Sequence, residues 1–281
     1  MQYPDYPTKI NGSVSHDVFL QYLRNYTDHF QLRKYIQFNT LVTKVFPVKG
    51  NGGWRTATWQ MKMRNLNTNR KNVTICDGVM ICNGHFAKPY IPEIPGLKET
   101  FPGKILYSRN YRVPEVFTNK TIVVLGSGNS AIDIAKDLGN YTKRIYLSYR
   151  SYKNNVTLIH DLHNPGNVKE VLNVLSANGS ELTLQDNSTI KVDNFIFCTG
   201  YSFDFPFLDN RSGLVFEKNA VRPLYAEIFN VEYPSMGFIG LTDNIYYNDW
   251  YYIQVEDFAS VMIGIVELPN YQTMLKNSNM I

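Results

Sequence analysis

The chain has 281 residues, of which 44% are hydrophobic and 19% are charged, and its formal net charge is +4. This composition is typical of a soluble globular protein with one large domain or two smaller ones. The basic residues are scattered, which argues against a nucleic-acid partner, and no apolar run is long enough for a transmembrane span. The three cysteines form no CxxC pair, so we expect core thiols and no metal site. Without a signal-peptide pattern, we expect a cytoplasmic protein, either free or associated with the cytosolic or endoplasmic reticulum membrane surface.

The first third of the chain predicts one helix followed by strands. Residues 1–14 are rich in turn residues, and a helical pattern with one apolar face begins at Ser15. Strands are predicted at Tyr35 to Val45, Arg55 to Met63 and Val73 to Cys82. Together they predict an antiparallel insert that returns to a buried strand.

A polar junction follows this buried strand. Asn83 and Gly84 come directly after it, at the kind of strand end where open α/β sheets bind ligands. Three prolines, Pro89, Pro92 and Pro95, then restrict the chain and prevent a helix, which favours a linker between domains.

A glycine turn between Thr121 and Asp137 predicts a dinucleotide site. An apolar, β-branched run leads into the turn and a helical pattern leaves it, which is the context that the G-x-G-x-x-G/A fingerprint requires. We expect Gly126 to permit a tight turn, Gly128 to let the backbone approach a pyrophosphate, and Ala131 to let the helix pack on the strand. The alternative is an ordinary turn that binds nothing. The candidate cofactor-binding residues are Gly126, Ser127, Gly128, Asn129, Ser130 and Ala131.

The next strand, Arg144 to Tyr149, indicates which nicotinamide cofactor is preferred. In NAD-binding units an acidic residue about 20 residues after the first glycine binds the ribose 2′-hydroxyl. No acid occupies that window here, whereas Ser148 and Arg150 do. A hydroxyl and a guanidinium can bind a 2′-phosphate, which predicts NADPH rather than NADH. The alternative for Arg150 is a solvated charge at the end of a strand.

The last third predicts a return to the sheet. Residues 168–175 read as a strand and residues 181–192 as a hairpin around a polar turn. The strand Asp193 to Cys198 ends at Thr199 and Gly200, a second candidate ligand junction. A short strand is predicted at Met236 to Leu241, and a helix at Asp249 to Glu267.

Four stretches are characteristic as a set: the turn Gly126 to Ala131, the junction Cys82 to His85 with its proline linker, Phe197-x-Thr199-Gly200-Tyr201, and Phe101-x-Gly103-x-x-x-Tyr107. With them the chain resembles the flavin-containing monooxygenase family, of the dimethylaniline N-oxide-forming type and in particular its short insect members. The resemblance covers most of the sequence.

The resemblance implies an α/β fold of two doubly wound, Rossmann-like dinucleotide-binding domains, with the NADPH domain inserted in an incomplete FAD domain. We place the first FAD segment at residues 1–112, the NADPH domain at 113–190, and the FAD return segment with its C-terminal helix at 191–281. The implied cofactors are FAD and NADPH. The implied reaction inserts one oxygen atom from O₂ into a small-molecule amine or sulfide through a C4a-hydroperoxyflavin. No catalytic side chain and no oligomeric state is implied.

The sequence departs from the family pattern in two places. The family has an earlier glycine fingerprint on the first FAD strand, whereas this sequence has one G-x-G-x-x-G/A, at Gly126, so we expect the FAD fingerprint to be missing. Tyr107 stands where the family signature has histidine, and tyrosine cannot become a cation near neutral pH. The alternative function is a truncated, flavin-free NADP-binding protein without monooxygenase activity. A disulfide reductase is disfavoured because there is no redox cysteine pair.

Overall fold

The structure is a computed structural model that describes residues 2–8, 14–48, 57–149, 165–217, 220–241 and 248–278. It divides the chain into two compact units. The flanking unit consists of Met1–His85 and Phe203–Ile281, and the inserted unit consists of Phe86–Ser202. The predicted α/β class is therefore confirmed, and one unit interrupts the sequence of the other. The cofactor-domain boundaries predicted at 112/113 and 190/191 stay a prediction.

The helices and strands are as follows. The helices are α1 His16–His29, α2 Leu97–Thr100, α3 Asn129–Leu138, α4 Asn248–Met262 and α5 Tyr271–Ser278. The strands up to the end of β9 are β1 Thr40–Val48, β2 Thr58–Asn65, β3 Lys71–Cys76, β4 Val79–Ile81, β5 Lys88–Pro89, β6 Lys104–Tyr107, β7 Thr121–Leu125, β8 Arg144–Tyr149 and β9 Val168–Leu172. The later strands are β10 Val174–Asn178, β11 Glu181–Leu184, β12 Thr189–Lys191, β13 Asn194–Phe197, β14 Tyr201–Ser202, β15 Val215–Phe216, β16 Val221–Arg222, β17 Leu224–Tyr225, β18 Phe229–Asn230 and β19 Met236–Phe238.

The inserted unit is built around a five-stranded sheet in the order β6-β13-β7-β8-β9, with every neighbouring pair parallel. The β7 residues Ile122, Val123 and Val124 are fully buried, as expected for a parallel strand that is covered on both faces. Helix α3 packs against the sheet through a set of buried apolar residues that includes Ala131 and Leu138. This packing places the start of α3 at the carboxyl edge of the sheet, beside the Gly126 turn.

The flanking unit contains the predicted antiparallel insert, which is the sheet β1-β2-β3. The prediction of a single strand from Val73 to Cys82 is wrong, because this stretch forms two strands that belong to different sheets. Strand β3 pairs with β2, whereas β4 pairs in parallel with β19. The division falls at Asp77 and Gly78, where a side chain on residue 78 would meet the terminal methyl group of Met262 at 2.6 Å. The close passage of these segments is a tertiary feature without a local signal.

Other element boundaries also differ from the sequence-based ones. The strand predicted from Tyr35 begins at Thr40, after a 3₁₀ turn at Leu32–Tyr35, and the strand predicted at residues 168–175 is divided into β9 and β10. Helix α4 ends at Met262, since Gly264 adopts a left-handed conformation (φ +77°) that terminates helices. Helix α5 was not predicted, although the Asn270 side chain accepts a bond from the Thr273 N–H, as an N-cap does. The hairpin β11–β12 and helix α1 are confirmed.

No helix in the described part of the chain is long and apolar enough to cross a membrane. Within those same ranges, no group of three or more histidine, cysteine or acidic side chains could hold a metal ion.

Candidate functional site

The Gly126 turn has the backbone geometry that the fingerprint predicts. Gly126 has φ +138°, and a Cβ atom there would overlap the carbonyl oxygen of Cys198 and lie 2.7 Å from its carbonyl carbon. The Gly126 N–H donates to the Ser148 carbonyl at 2.8 Å. The turn is therefore held between the ends of β8 and β13, and only glycine fits there.

Gly128 occupies a different environment, although it lies only two residues later. It is the N-cap of α3, with ordinary extended backbone (φ −82°, ψ 177°), and a Cβ atom there would have no heavy atom within 4 Å. No side chain caps the helix, and the residues Ser127 to Ser130 are exposed. The first N–H groups of α3 are thus open to solvent, and the positive end of the helix dipole lies behind them. This arrangement suits a phosphate group.

Ala131 and Ser148 are both fully buried. Ala131 packs in the core between α3 and the sheet, and its N–H donates to the Gly128 carbonyl at 2.9 Å, as predicted for the small third position of the fingerprint. The Ser148 hydroxyl donates to the Leu172 carbonyl at 3.0 Å, which joins β8 to β9. Its hydroxyl is therefore not presented to a ligand at the sheet edge. Arg150 lies outside the described residues, so its predicted contact with a 2′-phosphate stays a prediction.

The junction after β13 is tied to the proline linker. The Thr199 hydroxyl donates to the Tyr90 carbonyl, and the Tyr90 N–H donates to the Gly200 carbonyl at 2.9 Å. Strands β14 and β5 then pair in antiparallel fashion next to these bonds. The side chain of Thr199 is thus used to hold the two chain ends of the inserted unit together, while Gly200 is exposed with open space at its Cβ position.

The junction after β4 belongs to the flanking unit. Asn83 and Gly84 are exposed, and Gly84 has φ +71° with no heavy atom within 4 Å of its Cβ position. His85 is buried, and its Nδ1 lies 2.9 Å from the carbonyl oxygen of Gly240. The Gly240 N–H in turn donates to Oε1 of Gln254 on α4, at 2.9 Å. An open backbone turn therefore adjoins a buried polar cluster at this sheet edge.

The Phe101-x-Gly103-x-x-x-Tyr107 stretch is a packing element between β6 and β13. A Cβ atom on Gly103 would overlap the Asp193 carbonyl oxygen, so glycine is required for this close approach. Phe101 contacts Phe195 edge to face, with 6.4 Å between the ring centroids. Tyr107 is half-buried and stacks on Phe197 at 5.6 Å. The structure thus explains the three signature positions by packing.

Burial also controls the protonation state of Cys198, the cysteine next to the glycine turn. Desolvation raises the pKa of the Cys198 thiol to about 12, which keeps it protonated at neutral pH. A protonated thiol is a poor nucleophile, so Cys198 serves as a packing residue rather than a reactive one.

Helix α4 contains two unsatisfied polar groups that the sequence did not predict. Trp250 Nε1 and Gln254 Nε2 are buried donors without a hydrogen-bond partner among the described residues. The sequence predicted only a helix over this region, and the available signal was a glutamine on the core-facing side of that helix.

Fold and glycine turn together are those of Rossmann-type α/β domains. The family model described as "FMO-like: Flavin-binding monooxygenase-like" matches residues 1–169 and 165–280. The chain therefore belongs to the flavin-binding monooxygenase-like family, as its four motif stretches predict. Members of this family and the related monooxygenases use FAD and NADPH.

Individual relatives agree with this membership. The Arabidopsis thaliana flavin-containing monooxygenase FMO GS-OX-like 4 is 30% identical over 288 residues, which covers 98% of this chain and 62% of the relative. The FMO GS-OX-like 7 protein of the same plant is 33% identical, covering 98% of this chain and 60% of its own length. The chain thus spans about three fifths of the length of these curated relatives.

Solved structures show the same fold. The S-allyl-L-cysteine S-oxygenase from Allium sativum matches with a TM-score of 0.85 at 27% identity, over 99% of this chain and 63% of that one. Tmm from Pelagibacter matches with a TM-score of 0.86 at 24% identity, over 99% of this chain and 62% of that one, and shows the fold alone. These matches do not support the predicted dimethylaniline N-oxide-forming type.

Proposed function

We propose that this chain acts as an NADPH- and FAD-dependent monooxygenase, which transfers one oxygen atom from O₂ to a soft nitrogen or sulfur nucleophile. The observation that carries the proposal is the Gly126 turn, whose geometry fits a pyrophosphate, in a chain of the flavin-binding monooxygenase-like family. We assign the NADPH site to the inserted unit and a share of the FAD site to the flanking unit.

The residues at the Gly126 turn bind and orient NADPH in this proposal. The N–H groups at the start of α3 donate to the pyrophosphate, and Gly128 leaves room for its approach. Arg150 neutralises the 2′-phosphate and so favours NADPH over NADH. Ser148 has no part in this binding, because its hydroxyl is bonded to Leu172.

The flanking unit offers two features that fit a flavin. The Asn83–Gly84 turn is open, and it lies at the carboxyl edge of β4 and β19, which are parallel neighbours. When bound, FAD supplies the electron transfer from NADPH to O₂. The residues of this chain would hold the reactants in a dry site, and no general base would be needed, because the lone pair of a thioether or tertiary amine carries no proton.

We propose sulfur as the preferred nucleophile, and amine nitrogen as the second. The support is that the Allium sativum protein, which is 27% identical, is described as an S-oxygenase. An amine preference of the dimethylaniline type is the competing substrate class, and a flavin-free NADP-binding protein is the competing function. We also retain the expected cytoplasmic or membrane-surface location as a proposal.

One set of measurements tests this function. Purified protein is expected to show flavin absorbance, or to acquire it on incubation with FAD, and to oxidise NADPH faster when a thioether is added. Labelled oxygen from ¹⁸O₂ should appear in the sulfoxide, and a tertiary amine should compete less well. Colourless protein that binds NADP⁺ but neither takes up FAD nor oxidises NADPH would support the flavin-free alternative.

A further inference from the structure

Strand β3 lies at the edge of its sheet and carries exposed apolar side chains. The order of the sheet is β1-β2-β3, and no strand in the described ranges pairs with the free side of β3. Val73 is 50% exposed and Ile75 is 63% exposed. In an antiparallel sheet with one solvated face, apolar residues normally point to the core and polar residues to water. The two exposed side chains of β3 therefore depart from the usual pattern.

The register of the sheet shows which face these side chains occupy. Cys76 lies opposite the fully buried Trp59 of β2 and packs against the same core cluster, so their face is the inner one. Val73 lies opposite the exposed Lys62, and Ile75 is two residues further along β3. Side chains at every second position share a face, so both apolar residues point outward. We call the surface formed by Lys62, Val73 and Ile75 the outer face of the insert.

The free side of β3 also presents backbone groups. The Asn65 N–H donates to the Arg70 carbonyl at 2.9 Å, which sets the hydrogen-bonding phase of the β2–β3 ladder. From there, every second residue bonds to β2, and the residues between them, such as Val73, direct their N–H and C=O groups to the free side. The Val73 N–H accordingly donates to Oδ1 of Asn72 at 2.9 Å. Such a row of open backbone groups is a template for a further strand.

The surroundings of this edge are positively charged. Residues 30–76 contain nine lysine and arginine residues and no acidic residue. Arg64 lies opposite Lys71 on the outer face, and neither they nor Lys62 form an ion pair with another described residue. Lys44, which lies opposite Lys62, differs because it pairs with Asp209 at 2.7 Å. An occupant of the edge therefore meets unbalanced positive charge.

The charge and the open backbone together select the kind of occupant. A second copy of the chain would bring the same positive charges against each other, and like charges on neighbouring strands are destabilising. An anionic lipid surface would attract the charges, but lipid offers no regular row of donors and acceptors for a strand edge. An extended acidic peptide supplies both the opposite charge and the backbone groups.

We propose that β3 is a docking site for an extended, acidic segment of a partner protein, which adds to the sheet as a fourth, antiparallel strand. The backbone of the segment bonds to the free side of β3, its apolar residues cover Val73 and Ile75, and an acidic residue lies opposite Lys71. The inference goes beyond the proposed function and does not depend on it, because it involves neither cofactor.

A synthetic peptide with blocked ends tests the inference on the purified protein. It has valine at its first and third positions, glutamate at the fifth and seventh, and threonine between them. As an antiparallel strand it sets its valines opposite Ile75 and Val73 and its first glutamate opposite Lys71. We expect the peptide to slow amide hydrogen exchange in residues 71–76 and to bind in fluorescence anisotropy.

Two altered peptides separate the contributions of charge and backbone. Lysine in place of both glutamates should weaken binding about tenfold, because like charges then lie on neighbouring strands. N-methylation of the third residue keeps its side chain but removes the donor that faces Val73, so it should abolish the slowing of exchange. Equal binding of the lysine peptide, or peptide binding without slower exchange in residues 71–76, would overturn the inference.

Variants of the protein locate the site. Val73→Thr combined with Ile75→Thr keeps the β-branched shape of both residues and should weaken peptide binding about fivefold, and Lys71→Gln about threefold. Val215→Thr on β15, at a valine that is 61% exposed, and Lys191→Gln on the edge strand β12 are the matched controls and should bind as wild type does.

Two outcomes with these reagents would contradict the docking site. Wild-type affinity in the double threonine variant would show that the peptide binds elsewhere. Vesicles of phosphatidylcholine and phosphatidylserine that slow exchange in residues 71–76, where the peptide does not, would assign the surface to anionic lipid instead.

Discussion

Alanine substitutions at Gly126 and Gly128 are expected to have opposite consequences, although the two glycines belong to the same turn. At Gly126 an alanine would have to adopt φ +138° and overlap the Cys198 carbonyl oxygen. The conformational strain alone is about 1–3 kcal/mol, and relief of the overlap requires β13 to move. We therefore expect Gly126→Ala to lower the free energy of unfolding by about 3 kcal/mol.

At Gly128 the protein itself tolerates a methyl group. The backbone dihedrals are allowed for any L-residue, and no heavy atom lies within 4 Å of the added carbon. Gly128→Ala should change the free energy of unfolding by less than about 1 kcal/mol, because the gain of about 0.4–1 kcal/mol from a less flexible unfolded chain is offset by the poorer N-cap propensity of alanine. The methyl group would nonetheless occupy the space through which a pyrophosphate approaches the N–H groups. Loss of charged hydrogen bonds worth about 1.5–3 kcal/mol corresponds to a roughly 10- to 150-fold weaker NADP⁺ affinity.

Urea unfolding of the cofactor-free variants measures the first effect, and calorimetric titration with NADP⁺ measures the second. Lys136→Ala, in the last turn of α3, serves as the control and should bind NADP⁺ as wild type does. Wild-type NADP⁺ affinity in Gly128→Ala would refute the assignment of this turn to the cofactor. Wild-type stability in Gly126→Ala would refute the steric account of the turn.

Three further predictions concern single side chains. Arg150→Ala should weaken NADPH binding by about 1–3 kcal/mol in calorimetry and leave NADH binding unaltered, and an unchanged preference between the two would contradict the 2′-phosphate assignment. Hydrogen bonds from Arg211 and Lys44 hold the pKa of Asp209 below its ordinary range, so this stabilisation is present above about pH 4 and is lost as the pH falls further. The difference between the urea midpoints of wild type and Asp209→Asn should therefore become smaller from pH 6 to pH 3. A difference that does not change with pH would contradict a stabilising role for the ionised Asp209 carboxylate. Because the pKa of Cys198 is raised to about 12, mass spectrometry should find its thiol unmodified by iodoacetamide at pH 8 in folded protein and alkylated in urea, and equal labelling would show that the thiol is accessible.

The sequence by itself determined the features that depend on neighbouring residues. The glycine turn after β7, the helix α3 and the hairpin β11–β12 follow from residue spacing and turn chemistry, which act over a few residues. The four motif stretches determined the family for the same reason. These local signals were sufficient for the α/β class and for the candidate NADPH turn.

The tertiary structure decided what depends on contacts between distant segments. The sequence predicts that Ser148 contacts the 2′-phosphate of NADPH. In the structure, the pairing of β8 with β9 buries its hydroxyl, which donates to the Leu172 carbonyl. Gly103 is required because β6 passes close to Asp193, 90 residues away. The orphaned donors Trp250 and Gln254 became visible only once the packing of α4 showed which polar atoms have no partner. Hydrogen-bond satisfaction and close approach are properties of the folded core, so a one-dimensional pattern does not encode them residue by residue.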